Sequence, residues 1–126
     1  MTQQVRNIVT EVNPTVTKSD TIHDTLVKMT VSGFGAATVV DGTGKPIGIF
    51  TDGDLRRMIE KEGGESVNRK IGDLTFKTPK SIEANALLID ASNLFKDSQV
   101  DTLIVTENDK AVGMIDIQDL MKLDNY

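Results

Sequence analysis

The amino-acid sequence predicts a mixed α/β (α+β) chain, built as two tandem β-α-β-β-α units packed sheet to sheet with pseudo-twofold symmetry. Three observations predict it. Asn13 to Leu55 overlays Thr78 to Leu120 without a gap at an offset of 65 residues, with identities at Pro14/Pro79, Val40/Val105, Lys45/Lys110, Gly48/Gly113, Asp54/Asp119 and Leu55/Leu120. Self-similarity at a fixed offset marks a duplicated unit. Both halves carry the same order of secondary-structure signals, with apolar character kept at Ile22/Leu87, Met29/Leu94 and Val39/Ile104. Finally, each half of this 126-residue chain holds only about 60 residues, too few to bury a comfortable core alone, so two units must share one.

The elements follow in chain order. The first strand lies around Thr15 and Val16. Asp20 and Asn85 stand where helix N-caps are expected, since their side-chain oxygens accept from the first free backbone N–H groups. Ile22, Leu26, Met29 in one half and Leu87, Ala91, Leu94 in the other then recur at helical spacing. Ala37 to Val40 and Thr102 to Thr106 are short β-branched runs, followed by polar turns at Asp41 to Gly44 and Glu107 to Asp109. Ile47 to Thr51 and Val112 to Ile115 return as the second strand of each hairpin. Each strand then runs directly into a helix carrying Leu55, Met58, Ile59 or Leu120, Leu123. The division is residues 1–62 for the first unit, 63–70 for a polar, glycine-containing linker and 71–126 for the second, with a short turn at Ile71 to Leu74.

Composition narrows the function. The formal net charge is −5, with one Tyr, no Trp and no cluster of Lys or Arg, so the basic footprint and stacking surface of a nucleic-acid binder are missing. Zero cysteines remove thiolate nucleophiles and cysteine zinc sites and fit a reducing compartment. The single histidine, His23, near a helix start, reads as a surface residue. No apolar run is long enough to span a bilayer and no basic-then-apolar leader opens the sequence, so no membrane partner and a cytoplasmic location are expected. Thr51-Asp52-Gly53-Asp54 is not a calcium loop, because Leu55-Arg56-Arg57 interrupts the oxygen ligands. Gly42-Thr43-Gly44-Lys45 lacks the first glycine and the final Ser or Thr of a phosphate loop and reads as a hairpin turn. Gly33-Phe34-Gly35 follows a helix and precedes a strand, the reverse of a dinucleotide-binding turn. No metal and no catalytic residue is expected.

The informative segment is Gly48-Ile49-Phe50-Thr51-Asp52-Gly53-Asp54-Leu55-Arg56-Arg57, matched by Gly113 to Leu120. A strand feeding a helix leaves free N–H groups and partial positive charge at the helix start, where an anion such as phosphate can dock. Thr51 offers a hydroxyl at that mouth, and Asp54 a carboxylate able to accept from a vicinal diol such as a ribose. The second junction has Asp116 and Asp119 at these places. A carboxylate beside a phosphate costs on the order of 4 kcal/mol at about 4 Å and an effective dielectric of about 20, so the second cleft is the weaker anion site. The competing reading makes Asp54 and Asp119 plain first-turn acids, Thr51 a strand-end residue, and Arg56 and Arg57 solvated charge.

The paired pattern, with apolar-Gly-apolar-apolar-Thr-x-x-Asp-Leu closing the first unit, resembles the tandem CBS domains, the CBS pair or Bateman module, over nearly the whole chain from about Val5 to Leu123. More narrowly, Gly48 to Arg57 is similar to the C-terminal CBS pair of bacterial arabinose 5-phosphate isomerases, the sugar isomerases that begin Kdo synthesis. The second unit departs from that pattern, with Asp116, Ile117 and Gln118 where histidines precede the final Asp-Leu. The resemblance implies a non-enzymatic regulatory module, attached to a sugar isomerase domain, that senses a nucleotide or nucleotide sugar. CMP-Kdo, the pathway end product, or an adenine nucleotide such as AMP or ATP are the effectors it suggests, with no cofactor required and a homodimer as the assembly. It gives Thr51 and Asp54 the ribose and phosphate contacts, places the base against Thr15, Val16 and the backbone from Gly35 to Ala37, and lets Arg56 or Arg57 supply positive charge. The alternative is a purely structural dimerisation module with clefts that bind nothing.

Overall fold

The computed structural model describes residues 3–9, 12–76 and 78–123. Its elements are β1 (Thr15–Val16), α1 (Ile22–Ser32), β2 (Ala36–Val40), β3 (Pro46–Thr51), α2 (Asp52–Glu62), β4 (Ser81–Glu83), α3 (Leu88–Ser98), β5 (Thr102–Glu107), β6 (Lys110–Asp116) and α4 (Ile117–Met121). Two three-stranded sheets form, ordered β1-β2-β3 and β4-β5-β6. In each, a parallel pair is joined through a crossover helix and an antiparallel pair through a hairpin, as strand direction requires. The mixed α/β architecture read from the sequence is therefore the one observed. No described helix is long and apolar enough to cross a membrane.

The central strands are mostly apolar because both their faces are covered. Ala37 and Val39 of β2 turn toward Ile22, Met29 and Met58 of their own helices, while Ala36 meets Ile104 and Met114 of the other sheet. In β5, Leu103 and Val105 likewise pack on Leu88, Ala91 and Phe95, leaving Ile104 for the seam between the sheets. This alternation produces two helix-backed cores and one sheet-to-sheet core, as expected for units too small to stand alone.

The gapless offset of 65 is corrected by the structure. Val16 pairs with Val39 and Ile82 with Val105, a shift of 66 residues, and Ile22, Thr25 and Met29 of α1 are matched by Leu88, Ala91 and Phe95 of α3 at the same shift. Only from β3 onward does 65 hold, as Gly48 and Gly113 or Thr51 and Asp116 show. The lost residue lies in the hairpin turn. Both central strands carry a bulge, at Val39/Val40 and Val105/Thr106, after which Val40 pairs with Pro46 but Thr106 with Ala111. In the longer turn, Asp41 Oδ1 accepts from the N–H groups of Thr43 (2.8 Å) and Lys45 (3.0 Å). In the shorter one, Asn108 and Asp109 both adopt positive φ, the conformation a two-residue hairpin favours.

The expected caps also differ in the structure. Thr21, not Asp20, caps α1, accepting from Asp24 N at 3.0 Å while Asp24 Oδ2 accepts from Thr21 N at 3.1 Å. Asp20 serves the preceding turn instead, accepting from Thr17 N at 2.8 Å. Leu87, 37% exposed, occupies the α3 cap where Asn85 was expected, and only the return bond from Leu87 N to Asp90 Oδ2 is made.

The linker, residues 63–70, and the turn at Ile71 to Leu74 are both packed segments. Residues Gly64–Asn68 and Ile71–Asp73 form short 3-10 turns, and Val67, Ile71 and Leu74 pack into the core of the first unit. Val5 is the counterpart of Ile71, and it is buried in the core of the second unit. The backbone bonds match: Ile71 N to Asp20 O and Val5 N to Ala86 O (both 2.8 Å), and Gly72 N to Lys18 O and Arg6 N to Ala84 O (both 2.9 Å). Each unit thus lends its leading segment to the other, which ties the halves together more firmly than a tether.

Candidate functional site

The β3–α2 junction is built as a reciprocal cap. Thr51 Oγ1 accepts from Asp54 N at 3.2 Å, and Asp54 Oδ2 accepts from Thr51 N at 2.9 Å, so the first turn of α2 is satisfied locally. Asp54 Oδ1 accepts from Arg57 Nη2 at 2.7 Å, with Asp54 39% and Arg57 70% exposed. Arg57 folds back over the helix start, since a Cβ added to Gly53 would come within 3.2 Å of its Nη1. The acid and hydroxyl thus perform the structural role of the competing reading. Yet a carboxylate has further lone pairs, and Asp54 keeps room to accept from a ligand.

Beside this junction lies a cavity of about 900 Å³, in the size range of small-molecule sites. Thr51, Asp54 and Arg57 form part of its wall; Leu74, Phe76 and Lys80 line it from the segment entering the second unit, and Asp101 and Thr102 from the start of β5. Its lining is thus drawn from both units. Among the described residues Lys80, exposed at the rim, makes no ion pair, whereas Arg57 is paired with Asp54 and the Asp101 carboxylate shares the lining.

The structure therefore brings together Thr51, Asp54 and Arg57 but not the rest of the expected set. Arg56 is exposed on α2 and does not line the cavity. Val16 and Ala37 are buried in the core of the first unit. Thr15 lies in a smaller groove, about 320 Å³, against Val27 and Val31 of α1, and its carbonyl accepts from Lys28 Nζ at 2.8 Å. The Gly35 carbonyl accepts from Asp52 N at 3.0 Å. The cause is pseudo-symmetry: at a shift of 66, Asp101 and Thr102 are the counterparts of Gly35 and Ala36, so the first junction is completed by residues of the opposite unit.

The second junction is chemically different. Asp116 caps the five-residue α4, with Oδ1 accepting from Gln118 N, and Asp119 Oδ2 accepts from Asp116 N, both at 2.9 Å. Asn13 and Thr38 stand at the counterparts of cavity-lining Pro79 and Ile104. Asn13 Oδ1 and Thr38 Oγ1 are buried without a hydrogen-bond partner among the described residues. Among those residues no cluster of three or more acidic, His or Cys side chains could hold a metal.

Residues 5–61 and again 71–126 match the profile of the CBS domain. The chain belongs to the CBS domain family. This CBS pair is 35% identical over 124 residues to the arabinose 5-phosphate isomerase KdsD of Francisella tularensis, covering 96% of this chain and 37% of that protein. Against KdsD of Yersinia pestis it is 32% identical over 109 residues, covering 86% and 33%. The chain thus spans about a third of the length of these relatives. Its fold matches the CBS domain pair of protein MJ0100, solved in complex with 5′-methylthioadenosine and S-adenosyl-L-methionine, with a TM-score of 0.84 at 14% identity over 99% of this chain and 98% of that one.

Proposed function

We propose that this CBS pair is a regulatory module, not an enzyme, that senses a nucleotide or nucleotide sugar in the cavity beside Thr51 and Asp54. The observation that carries the reading is that one cavity of about 900 Å³ is walled by both units, with hydroxyls, the Asp54 and Asp101 carboxylates and the Arg57 and Lys80 cations on its border. A ligand seated there touches both repeats and favours the mutual orientation that fits it best. Only such differential affinity can shift a population and so be felt by another domain. The KdsD relatives, each about three times the length matched here, support a sugar isomerase domain as the recipient of that signal. CMP-Kdo and adenine nucleotides are the first effectors to try, the former as the end product of the Kdo pathway, and a homodimer in the cytoplasm is the proposed assembly.

The second reading, a structural dimerisation module, is favoured by one observation: Thr51, Asp54 and Arg57 satisfy one another without a ligand. Thermal unfolding with AMP, ATP, CMP and CMP-Kdo separates the two. Binding at about 100 times Kd stabilises the fold by roughly 2.7 kcal/mol. At about 2.1 cal/mol/K of unfolding entropy per residue that is close to 10 °C in Tm for this chain. A flat response to all four ligands favours the packing module.

A further inference from the structure

Resting on the nucleotide-sensing reading, we infer that Phe76 is the residue that receives the base, and that it makes the cavity select a nucleoside over a plain sugar phosphate. Phe76 is seated by Gly48. A Cβ there would lie 2.6 Å from its Cγ, 2.8 Å from its Cβ and 3.0 Å from its Cδ1, so the root of the side chain rests on bare β3 backbone. The ring is only half-buried and lines the cavity.

Among the described residues no other aromatic side chain both lines the cavity and is open to it. Phe50 also lines the cavity but is 1% exposed in the core of the first unit, and neither Phe34 nor Phe95 lines it; Phe76, although packed against that same core, stays half-buried. The chain has no Trp, and its one Tyr, Tyr126, lies outside the described residues. Three residues of β3, about 10 Å of strand, separate Gly48 beneath the ring from Thr51 at the junction, a span that a base joined to a ribose phosphate covers. Leu74, next to Phe76 in the wall, adds apolar surface, whereas Thr51, Asp54 and Arg57 are polar. The cavity therefore has an aromatic part suited to a planar ring and a polar part suited to a sugar phosphate. A stack of this kind discriminates by shape and π-face rather than by hydrogen bonding, so purine and pyrimidine nucleotides are both accepted.

The test compares AMP and CMP with ribose 5-phosphate by calorimetry on the parent chain, Phe76→Leu and Phe76→Trp. Leucine keeps an apolar contact and removes the aromatic face, while tryptophan keeps the face and becomes the only indole in the chain. The expected result is that Phe76→Leu weakens AMP and CMP by roughly five- to hundredfold and leaves ribose 5-phosphate unchanged or undetected, as in the parent. Phe76→Trp binds nucleotide, with its emission quenched as the base stacks. The inference is overturned if ribose 5-phosphate binds the parent as tightly as AMP, if Phe76→Leu weakens all three alike, or if it weakens none. Should the parent bind none of these three and neither ATP nor CMP-Kdo, the sensing reading fails and this inference with it; a parent that binds only ATP or CMP-Kdo, or nucleotide binding that Phe76→Leu leaves untouched, sinks the inference alone.

Discussion

Thr38→Val is expected to stabilise this protein. Thr38 sits mid-strand in β2, fully buried, paired in register with Thr15 on one side and Ile49 on the other. Its backbone is satisfied, with N donating to Pro14 O at 2.9 Å, but Oγ1 has no partner among the described residues. Valine replaces that hydroxyl with a methyl of nearly equal size and keeps the β-branch that strands favour. Removing a buried, unsatisfied hydroxyl recovers its desolvation penalty, about 1–3 kcal/mol. Unfolding entropy of about 2.1 cal/mol/K per residue, over 126 residues, makes each kcal/mol worth roughly 4 °C, so Tm should rise by about 4–11 °C. Differential scanning calorimetry of the two proteins measures it. An unchanged or lower Tm would refute the reasoning, because it would mean that a buried water or another group already bonds the hydroxyl.

Gly48→Ala should lower stability by about 1–3 kcal/mol, since Phe76 must lift off β3 to admit the methyl; urea titration checks it, and a neutral result would show the ring free to move. Phe95→Ala removes the largest buried side chain of α3, which is 3% exposed, and should cost about 3–5 kcal/mol; a loss below about 1 kcal/mol in the same titration would contradict the core described for the second unit. The Asp24 carboxyl is held below its ordinary value of 3.8 chiefly by the Thr21 backbone N–H, then by the Thr21 hydroxyl. Its stabilising effect is therefore complete above that value and fades as pH falls through the lower folded-state pKa. Asp24→Asn should accordingly reduce Tm at neutral pH and match the parent in strong acid; a gap that persists or widens in acid would assign the effect to something other than this charge.

The duplication, the hairpins and the strand-to-helix junctions were legible because periodicity and turn chemistry are local. Thr51 and Asp54 could be singled out for the same reason: strand end and first helical turn adjoin in sequence. The one-residue slip was not legible, because Pro14/Pro79 and Val40/Val105 are identities that reward the wrong offset, whereas the true partners of Ile22 and Met29, Leu88 and Phe95, match in burial rather than identity. The sequence reading sets Thr15, Val16 and Gly35 to Ala37 beside Thr51, whereas the cavity there is lined by Asp101 and Thr102, for a topological reason. Local sequence cannot say that Asp101 and Thr102 of one unit, rather than Gly35 and Ala36 of the other, complete a cleft. Applied across the pseudo-twofold, the repeat itself would have pointed to them. Phe76 and Lys80 lie in a stretch with no periodicity, and their place in the cavity wall emerges only once the segment is seen passing the edge of β3.

Calorimetric titration of the parent chain, Asp54→Ala and Asp119→Ala with AMP and CMP-Kdo tests the central claim most directly, at a temperature where all three remain folded. The account predicts saturable binding of at least one of the two to the parent, a marked loss of affinity in Asp54→Ala and a smaller one in Asp119→Ala. Equal losses, the reverse order, or a parent chain that binds neither ligand would contradict it.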